Sequence, residues 1–479
     1  MLKLIFTLFF ISIPAFAIDS IYTWGYGEDI RNILISIKFF TANATYLIDT
    51  AIAIGLLLVM YKETQENNTD RIMKVAFLAL IVSQLFFHST KDYMVEDEVT
   101  NQAFAVTNVP VGIGELFSLF TSVERVLIKA FESSYSTPNS LNFSQVGLGF
   151  SMAAHLSTNS ASFIDGNAHE TFMEYTTNCI ASGMIDGQIN KNIIMSEDIV
   201  GSMRVQGFET IVYNSDGTVT QVSCQNAYDN HIVKYFQTES NSYIQNRIAS
   251  QMGIEGIKVE GALQDTSGLF FGISKSGKDY VMQQMGKNML KKGLEVMAMT
   301  TGGDTQALAY SSALSSSTME NQWQQAGIMT QSTLPMTKAY LTSIILALTP
   351  LLALLSIMFG DWKYIKMIVT LLTTLMLFSP LASIINYLIY LKIEEIAPLM
   401  NKGLWMPMVS SGYINEMLIS YLNFLGYAAM SIPILAYSLV KASEQGFVNF
   451  MSGMGGSISG TASSVASEKF TKVFLTIKR

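Results

Sequence analysis

The sequence AYLTSIILALTPLLALLSIMF, from Ala339 to Phe359, runs for 21 residues without a charged side chain. A helix of this length rises about 31 Å, close to the roughly 30 Å thickness of the hydrocarbon core of a bilayer. Two later stretches, Met367 to Leu391 and Met417 to Val440, are also uncharged and are longer still. Together the three stretches predict membrane-spanning helices over residues 339–440, and they decide the fold class.

Two further spans are predicted near the N-terminus, where residues 43–88 form a helical hairpin. The first runs from Asn43 to Tyr61, and Asp49 is its only charge. The second runs from Ile72 to His88 and is shorter, but the long side chain of Lys74 can reach from its start toward the membrane surface. The chain is therefore predicted to be a polytopic α-helical membrane protein with about five transmembrane helices.

Composition agrees with this class. Of 479 residues, 49% are hydrophobic and only 14% are charged, against about 25% in ordinary soluble domains. The net charge of −8 is concentrated between Glu132 and Lys338, where 18 acidic residues face 11 basic ones. Phosphate binding needs clustered lysine and arginine, so direct nucleic-acid binding is not expected.

The N-terminus has the three parts of a secretory signal peptide. Lys3 provides the positive charge, Leu4 to Ile13 is apolar, and Ala15-Phe16-Ala17 has the small-residue pattern of a cleavage site. Residues 1–17 are therefore predicted to be removed after Ala17. The alternative is an uncleaved anchor helix.

Lysine and arginine predict the orientation, because short cytoplasmic loops carry an excess of these residues. Lys62 and Arg71 lie in the loop of the first hairpin, Lys363 and Lys366 lie between two later spans, and the tail after Lys441 is also basic. Residues 18–42 and 89–338 are then periplasmic, and residues 441–479 form a cytoplasmic Gly/Ser-rich tail. That tail is either a flexible linker or a surface for close helix packing. The protein is expected in the cell inner membrane.

The large block over residues 89–338 is predicted to be a mixed, mainly helical α+β domain. Ile113 to Phe131 has the pattern of an amphipathic helix on the membrane surface. Phe208 to Cys224 reads as a β-hairpin around the turn Asn214 to Gly217. Asp279 to Thr300 carries methionine and leucine near helical spacing, which favours core packing over a cofactor site.

The chain has two cysteines, Cys179 and Cys224, both in this block. An isolated pair in an oxidising compartment favours a disulfide. The alternative is two unrelated buried thiols.

Motifs that carry chemistry are weak. Gly272 to Asp279 spells G-x-x-x-x-G-K, but a nucleotide-binding loop needs Ser or Thr where Asp279 stands. His169-Glu170 lacks a second histidine, because position 173 is Met. No catalytic residue, metal site, cofactor or small-molecule substrate is therefore predicted, and the chain is not expected to be an enzyme.

Asp49 is the charge deepest within a predicted span. An intramembrane carboxylate is a candidate ion or proton relay. The alternative is a hydrogen bond to a neighbouring helix, or a position nearer the membrane surface.

Several short motifs occur in an order that resembles one known family. One is Trp24-Gly25-Tyr26-Gly27 followed by Asp29 and Arg31. Another is Thr107-Asn108-Val109-Pro110-Val111-Gly112, which is similar to the family's D-N-V-P-[LV]-G segment, with Thr where Asp is usual. Gly147-Leu148-Gly149-Phe150, the cysteine pair and the clustered C-terminal spans follow in a comparable order. The chain resembles the TraG N-terminal-domain family, conjugal transfer proteins of F-type type IV secretion systems, over roughly residues 20–450.

This resemblance implies an inner-membrane structural component that supports pilus assembly and the mating channel for DNA transfer. Its partners would be the lipid bilayer and other inner-membrane and periplasmic subunits of the apparatus. In the family a long C-terminal region serves mating-pair stabilisation and exclusion, and this chain is expected to be a short form largely without it. The alternative is an inner-membrane channel or transporter subunit with a periplasmic domain and with Asp49 in its path.

Overall fold

The computed structural model describes residues 19–441 apart from 67–68, 136–137, 190–192, 194, 253, 301–319, 401–404 and 407–410. The predicted signal peptide with Ala17, and the predicted tail from residue 442 onward, lie outside the described residues. The described chain is mostly helical, with one three-stranded and one two-stranded β-sheet. This confirms the mainly helical fold class with a smaller β component.

The strands are, in chain order, β1 (Asp19–Thr23), β2 (Thr90–Asp97), β3 (Gln102–Pro110), β4 (Glu209–Tyr213) and β5 (Val219–Ser223). The α-helices are α1 (Gly27–Asn43), α2 (Thr45–Glu66), α3 (Thr69–Ser83), α4 (Val111–Ser134), α5 (Phe143–Val146), α6 (Phe150–Thr158), α7 (Gly166–Tyr175), α8 (Ala181–Ile185), α9 (Cys224–Ala227), α10 (Val233–Ser242), α11 (Ala249–Met252), α12 (Gly256–Phe271), α13 (Gly277–Thr300), α14 (Glu320–Phe359), α15 (Lys363–Met376), α16 (Phe378–Met400) and α17 (Ser411–Lys441). Short π-helical turns continue several helices, including Gln84–His88 after α3 and Thr176–Ile180 after α7.

Two helical stretches of the described chain are long and apolar enough to cross a membrane, Met336–Phe359 and Lys363–Ile396. Two bent pairs raise the number to four if each is one span: Gly27–Asn43 with Tyr46–Tyr61, and Met417–Gly426 with Ser431–Lys441. The apolar helix Ile72–His88 is shorter. The structure therefore supports two to four candidate spans, and the count of five stays a prediction.

Proline explains one of the bends. Pro433 lies inside α17, and the two arms of the bent pair meet at 44° just before it. A proline in a helix removes one backbone hydrogen bond and clashes with the carbonyl four residues earlier. An uncharged run in the sequence is therefore not always one straight span.

The described residues form two compact units, the first from residues 19–128 and 336–378 and the second from residues 129–335 and 379–441. Each unit combines candidate membrane helices with part of the block that the sequence predicts to be periplasmic. The units thus run across the predicted segment boundaries.

The first unit is built on the sheet β1-β2-β3, in which β1 is parallel and β3 antiparallel to β2. Tyr93 and Val95 of β2 are fully buried. α1 buries Ile30, Leu34 and Ile37, whose spacing of three to four residues places them on one helix face. These apolar faces form the core of the unit.

The second unit contains the hairpin β4–β5, whose strands are antiparallel. The amide of Gly217 donates to the carbonyl of Asn214 (3.0 Å), and Gly217 has a positive φ of 82°, a conformation that favours glycine. The hairpin predicted over 208–224 is thereby confirmed. Met285 and Met289 of α13 are fully buried, which confirms the predicted packing role of its methionines.

A disulfide joins Cys179 to Cys224 within the second unit. Cys179 lies in the π-helical turn after α7, and Cys224 begins α9 directly after the hairpin. Both are fully buried. The bond ties two segments that are 45 residues apart.

We expect the Cys179→Ala/Cys224→Ala double variant to lose about 4 kcal/mol of unfolding free energy, because its unfolded chain is no longer restricted by a closed loop. Chemical unfolding in detergent measures the loss. Reducing agent should destabilise the wild type and leave the double variant unchanged. A non-reducing peptide map that shows free thiol at Cys179 would contradict the disulfide.

Candidate functional site

Asp97 organises the turn Trp24–Gly27, hereafter the Trp24 turn. One carboxylate oxygen, Oδ1, accepts from the amides of Gly25 (2.9 Å) and Val99 (3.0 Å), and Oδ2 accepts from the amide of Gly27 (3.1 Å). Asp97 is only 3% exposed. A buried carboxylate is costly unless it is hydrogen-bonded, and backbone amides supply charge-assisted bonds here.

The local sequence suits this turn. Gly25 and Tyr26 both have positive φ, 91° and 63°, and Tyr26 precedes the first residue of α1. A side chain at Gly27 would lie 3.1 Å from Cβ of Asp97, a tight contact that glycine avoids. The two glycines therefore have separate roles, one in backbone conformation and one in space.

The Trp24 turn is joined to the start of a candidate span by a cation. Lys338, the third residue of Met336–Phe359, lies over the ring of Trp24 with its Nζ 4.4 Å from the centroid. The same ammonium forms an ion pair with Glu124 of α4, which is 2% exposed. A cation over an indole ring adds to the attraction when water is excluded. The cluster Trp24, Glu124 and Lys338 is called the Lys338 cluster below.

Two more cations, each with its own carboxylate partners, lie beside the sheet of this unit. Arg125 lies 4.2 Å from the ring centroid of Tyr22 and pairs with Glu98. Lys91 bridges Asp19 and Glu115. Burial raises the pKa of Glu115, and its hydrogen bond with Lys91 opposes that rise. All of these contacts hold strands and helices together.

The second family motif forms a strand-to-helix junction. Asn108 has a φ of 58°, and its amide donates to Oδ1 of Asp92 (2.9 Å). Pro110 ends β3, and the next amide, of Val111, donates to the carbonyl of Ser89 (2.8 Å). A side chain at Gly112 would lie 3.0 Å from ring atoms of Phe86. Asn108, Pro110 and Gly112 thus allow α4 to start close against the π-helical turn.

In the second unit His155 links three helices. Its Nε2 bonds Oδ1 of Asn415 on α17 (3.2 Å), and its Nδ1 bonds the hydroxyl of Tyr280 on α13. Because Oδ1 is an acceptor, Nε2 carries the proton and Nδ1 accepts from the tyrosine. Burial, together with the positive charge of Lys287, lowers the pKa of His155 to about 3. His155 is therefore neutral at ordinary pH.

The remaining predicted residues lie apart from these clusters. Arg31 is half-buried in the second turn of α1, and Asp49 lies on an exposed face near the start of α2. Lys275, in the P-loop-like segment, stacks on Trp405 at 4.0 Å. That segment connects helix α12 to helix α13, whereas a nucleotide-binding loop follows a strand. Within the described residues, no group of three or more His, Cys, Asp or Glu is arranged to hold a metal.

Sequence reasoning missed the residues that tie the clusters together. Asp97 stands in the acidic run Glu96-Asp97-Glu98, but it lies two residues after the buried Val95, and residues two apart in a strand share one face. Glu124 looked like a solvated charge on an amphipathic helix. Lys338 marked only the boundary of a span. A charge directly before an uncharged run was the available signal for Lys338.

These features define a class: a mostly helical protein with two to four candidate membrane-spanning helices, whose charged and aromatic clusters fix the positions of helices and strands. Residues 20–462 match the family described as "TraG-like protein, N-terminal region". The chain belongs to this family.

A curated relative is similar along almost the whole chain. It is the protein named "Protein TraG" of Escherichia coli (strain K12), which is 24% identical over 488 aligned residues. The alignment covers 94% of this chain and 48% of that protein, so the chain spans about half the length of its relative. No solved structure shows a significant match.

We expect Lys338→Met to destabilise the protein by about 3–5 kcal/mol, because it removes the cation that pairs with the buried carboxylate of Glu124. The Lys338→Met/Glu124→Leu double variant should recover most of this loss, since the carboxylate is then removed as well. Unfolding in detergent measures both.

The matched control for this pair is Lys392→Met, which breaks the exposed pair Lys392–Glu395 and should leave stability almost unchanged, because solvent screens an exposed ion pair. Equal losses for Lys338→Met and Lys392→Met would show that the Lys338 cluster adds nothing to stability.

The depressed pKa of His155 predicts a loss of stability in acid. Below the ordinary pKa of 6.5 the unfolded state binds a proton that the folded state excludes until about pH 3. The contribution of neutral His155 to the free energy of unfolding is therefore complete above pH 6.5. Below pH 6.5 it falls by about 1.4 kcal/mol per pH unit. Unfolding of wild type and His155→Gln from pH 7 to pH 4 measures the difference. A His155→Gln variant with the wild-type slope would refute the assignment.

Proposed function

We propose that this chain is an inner-membrane structural component of an F-type conjugative type IV secretion system. In this role it supports pilus assembly and the mating channel for DNA transfer. The observation that carries the proposal is the match of residues 20–462 to the TraG N-terminal region, which includes every candidate span. The chain therefore corresponds to the membrane-embedded part of the family.

The contacts in the structure support a structural role. The family-motif residues Trp24, Gly25, Pro110 and Gly112 all lie at junctions between strands and helices or spans. Substitution of such a residue would shift a helix and would not remove a reacting group. A subunit that docks against others in a large assembly needs helices held in one arrangement.

The disulfide supports a periplasmic location for the segment that carries Cys179 and Cys224, because such bonds persist in oxidising compartments. With this segment outside, other inner-membrane and periplasmic subunits are the expected partners, together with the lipid bilayer. The acidic balance of residues 132–338 supports contact with protein and not directly with DNA.

The proposal is limited to assembly of the pilus and channel. The alignment covers 48% of the relative's length. The alternative role, a channel or transporter subunit, would need Asp49 in a conducting path. The exposed position of Asp49 near the start of α2 does not add support for that path.

Deletion of the gene is expected to abolish both DNA transfer in a mating assay and pili counted by electron microscopy. Expression of the chain from a plasmid should restore both. Lys338→Met should restore them poorly, and the Lys338→Met/Glu124→Leu double variant and the Lys392→Met control should restore them well. Unchanged transfer and unchanged pilus number after deletion would overturn the proposal.

A further inference from the structure

Residues 133–164 stand out within the block that the sequence places in the periplasm. They contain no Asp, Glu, Lys or Arg over 32 residues, which is the longest such run in the block. The stretch is long enough to enter a membrane. It does not form one through-going helix, because it is divided into a short turn at Asn139–Leu141, α5 and α6. Such a stretch is expected to turn back on the side from which it came.

The stretch is bound to the side of α16, which belongs to the candidate span Lys363–Ile396. The amide of Gly149 donates to Oδ1 of Asn386 (2.9 Å), and Nδ2 of Asn386 donates to the carbonyl of Leu141 (3.2 Å). One turn further along α16, the hydroxyl of Tyr390 accepts from the amide of Ser151 (3.2 Å).

The polar side chains on α16 provide the loop backbone with hydrogen bonds that water would provide in solution. Leu141 and Gly149 flank α5, where the chain leaves helical structure and cannot satisfy its own backbone. Non-helical backbone is tolerated at membrane depth only where protein groups satisfy it. Asn386 is 3% exposed and supplies both an acceptor and a donor to this loop.

The turn also touches α17. Gly149 has a φ of 69°, and a side chain at this position would overlap the side chain of Leu425. Leu425 lies 16 residues before Lys441, which ends α17. This is about 24 Å along a straight helix, and the 44° bend between the two arms of α17 makes the depth somewhat smaller. With Lys441 at one edge of a hydrocarbon core of about 30 Å, the turn at Gly149 reaches into the opposite leaflet.

We propose that residues 139–149 form a re-entrant element of the membrane domain, with its turn, Gly147–Gly149, inserted between α16 and α17 at the depth of the hydrocarbon core. The proposal rests on the membrane placement of α16 and α17 in the proposed function. The element enters through the turn 139–141 and α5 and leaves through α6, whose residues are all buried. It acts as a wedge that sets the distance between the outer parts of the two helices.

Site-directed spin labelling in phospholipid vesicles tests the depth. A nitroxide on Gln145→Cys, a half-buried position of α5, is compared with one on Ile434→Cys, exposed on α17, and one on Gln237→Cys, exposed on α10. The native cysteines stay in their disulfide and do not react. Collision rates with oxygen, which dissolves in lipid, and with a water-soluble nickel chelate give the depth of each label.

The label at position 145 is expected to show the high oxygen-to-nickel ratio of the label at position 434. If the label at position 145 shows the low oxygen-to-nickel ratio of the label at position 237, while the label at position 434 lies in lipid, this inference alone is overturned. A label at 434 that collides with nickel as freely as the label at 237 would overturn the membrane placement of α17 and the proposed function with it. Ser140→Cys provides a second position on the same arm should the first variant fold poorly.

Discussion

A polar group buried away from water must find a partner within the protein, and the structure depends on this constraint at several points. Asp97 accepts hydrogen bonds from backbone amides of the Trp24 turn. Asn386 forms hydrogen bonds with a carbonyl and an amide on either side of α5. In both places one short side chain replaces several water molecules. Backbone groups of these loops thereby keep hydrogen-bond partners within the protein.

The charge of Lys338 also finds its partners within the protein. Lys338 stands at the beginning of a candidate span, where an ammonium would ordinarily reach for water. Its ammonium instead forms an ion pair with Glu124 and lies over the indole ring of Trp24. This arrangement links a span to the sheet of the same unit, so the position of the span depends on a turn near the N-terminus of the described chain.

These contacts give a structural reason for the residues of the family motifs. Gly25, Gly27 and Gly112 serve backbone conformation or close approach, and Pro110 marks the end of a strand. None of them holds a reacting group. Motifs of this kind are typical of a protein whose function is to keep an assembly in shape, which is the role proposed for this member of the TraG-like family.

The amino-acid sequence alone determined what depends on local pattern. Uncharged runs indicated membrane helices, alternation around Asn214–Gly217 indicated a hairpin, and methionines at helical spacing indicated a core face, because these signals lie within a few residues of one another. Tertiary structure decided what depends on distant partners. Gly25 and Asp97 are 72 residues apart, Glu124 and Lys338 are 214 apart, and Gly149 and Asn386 are 237 apart. Periodicity cannot report such pairs, since the partner of a buried charge or amide is known only when the chain has folded around it.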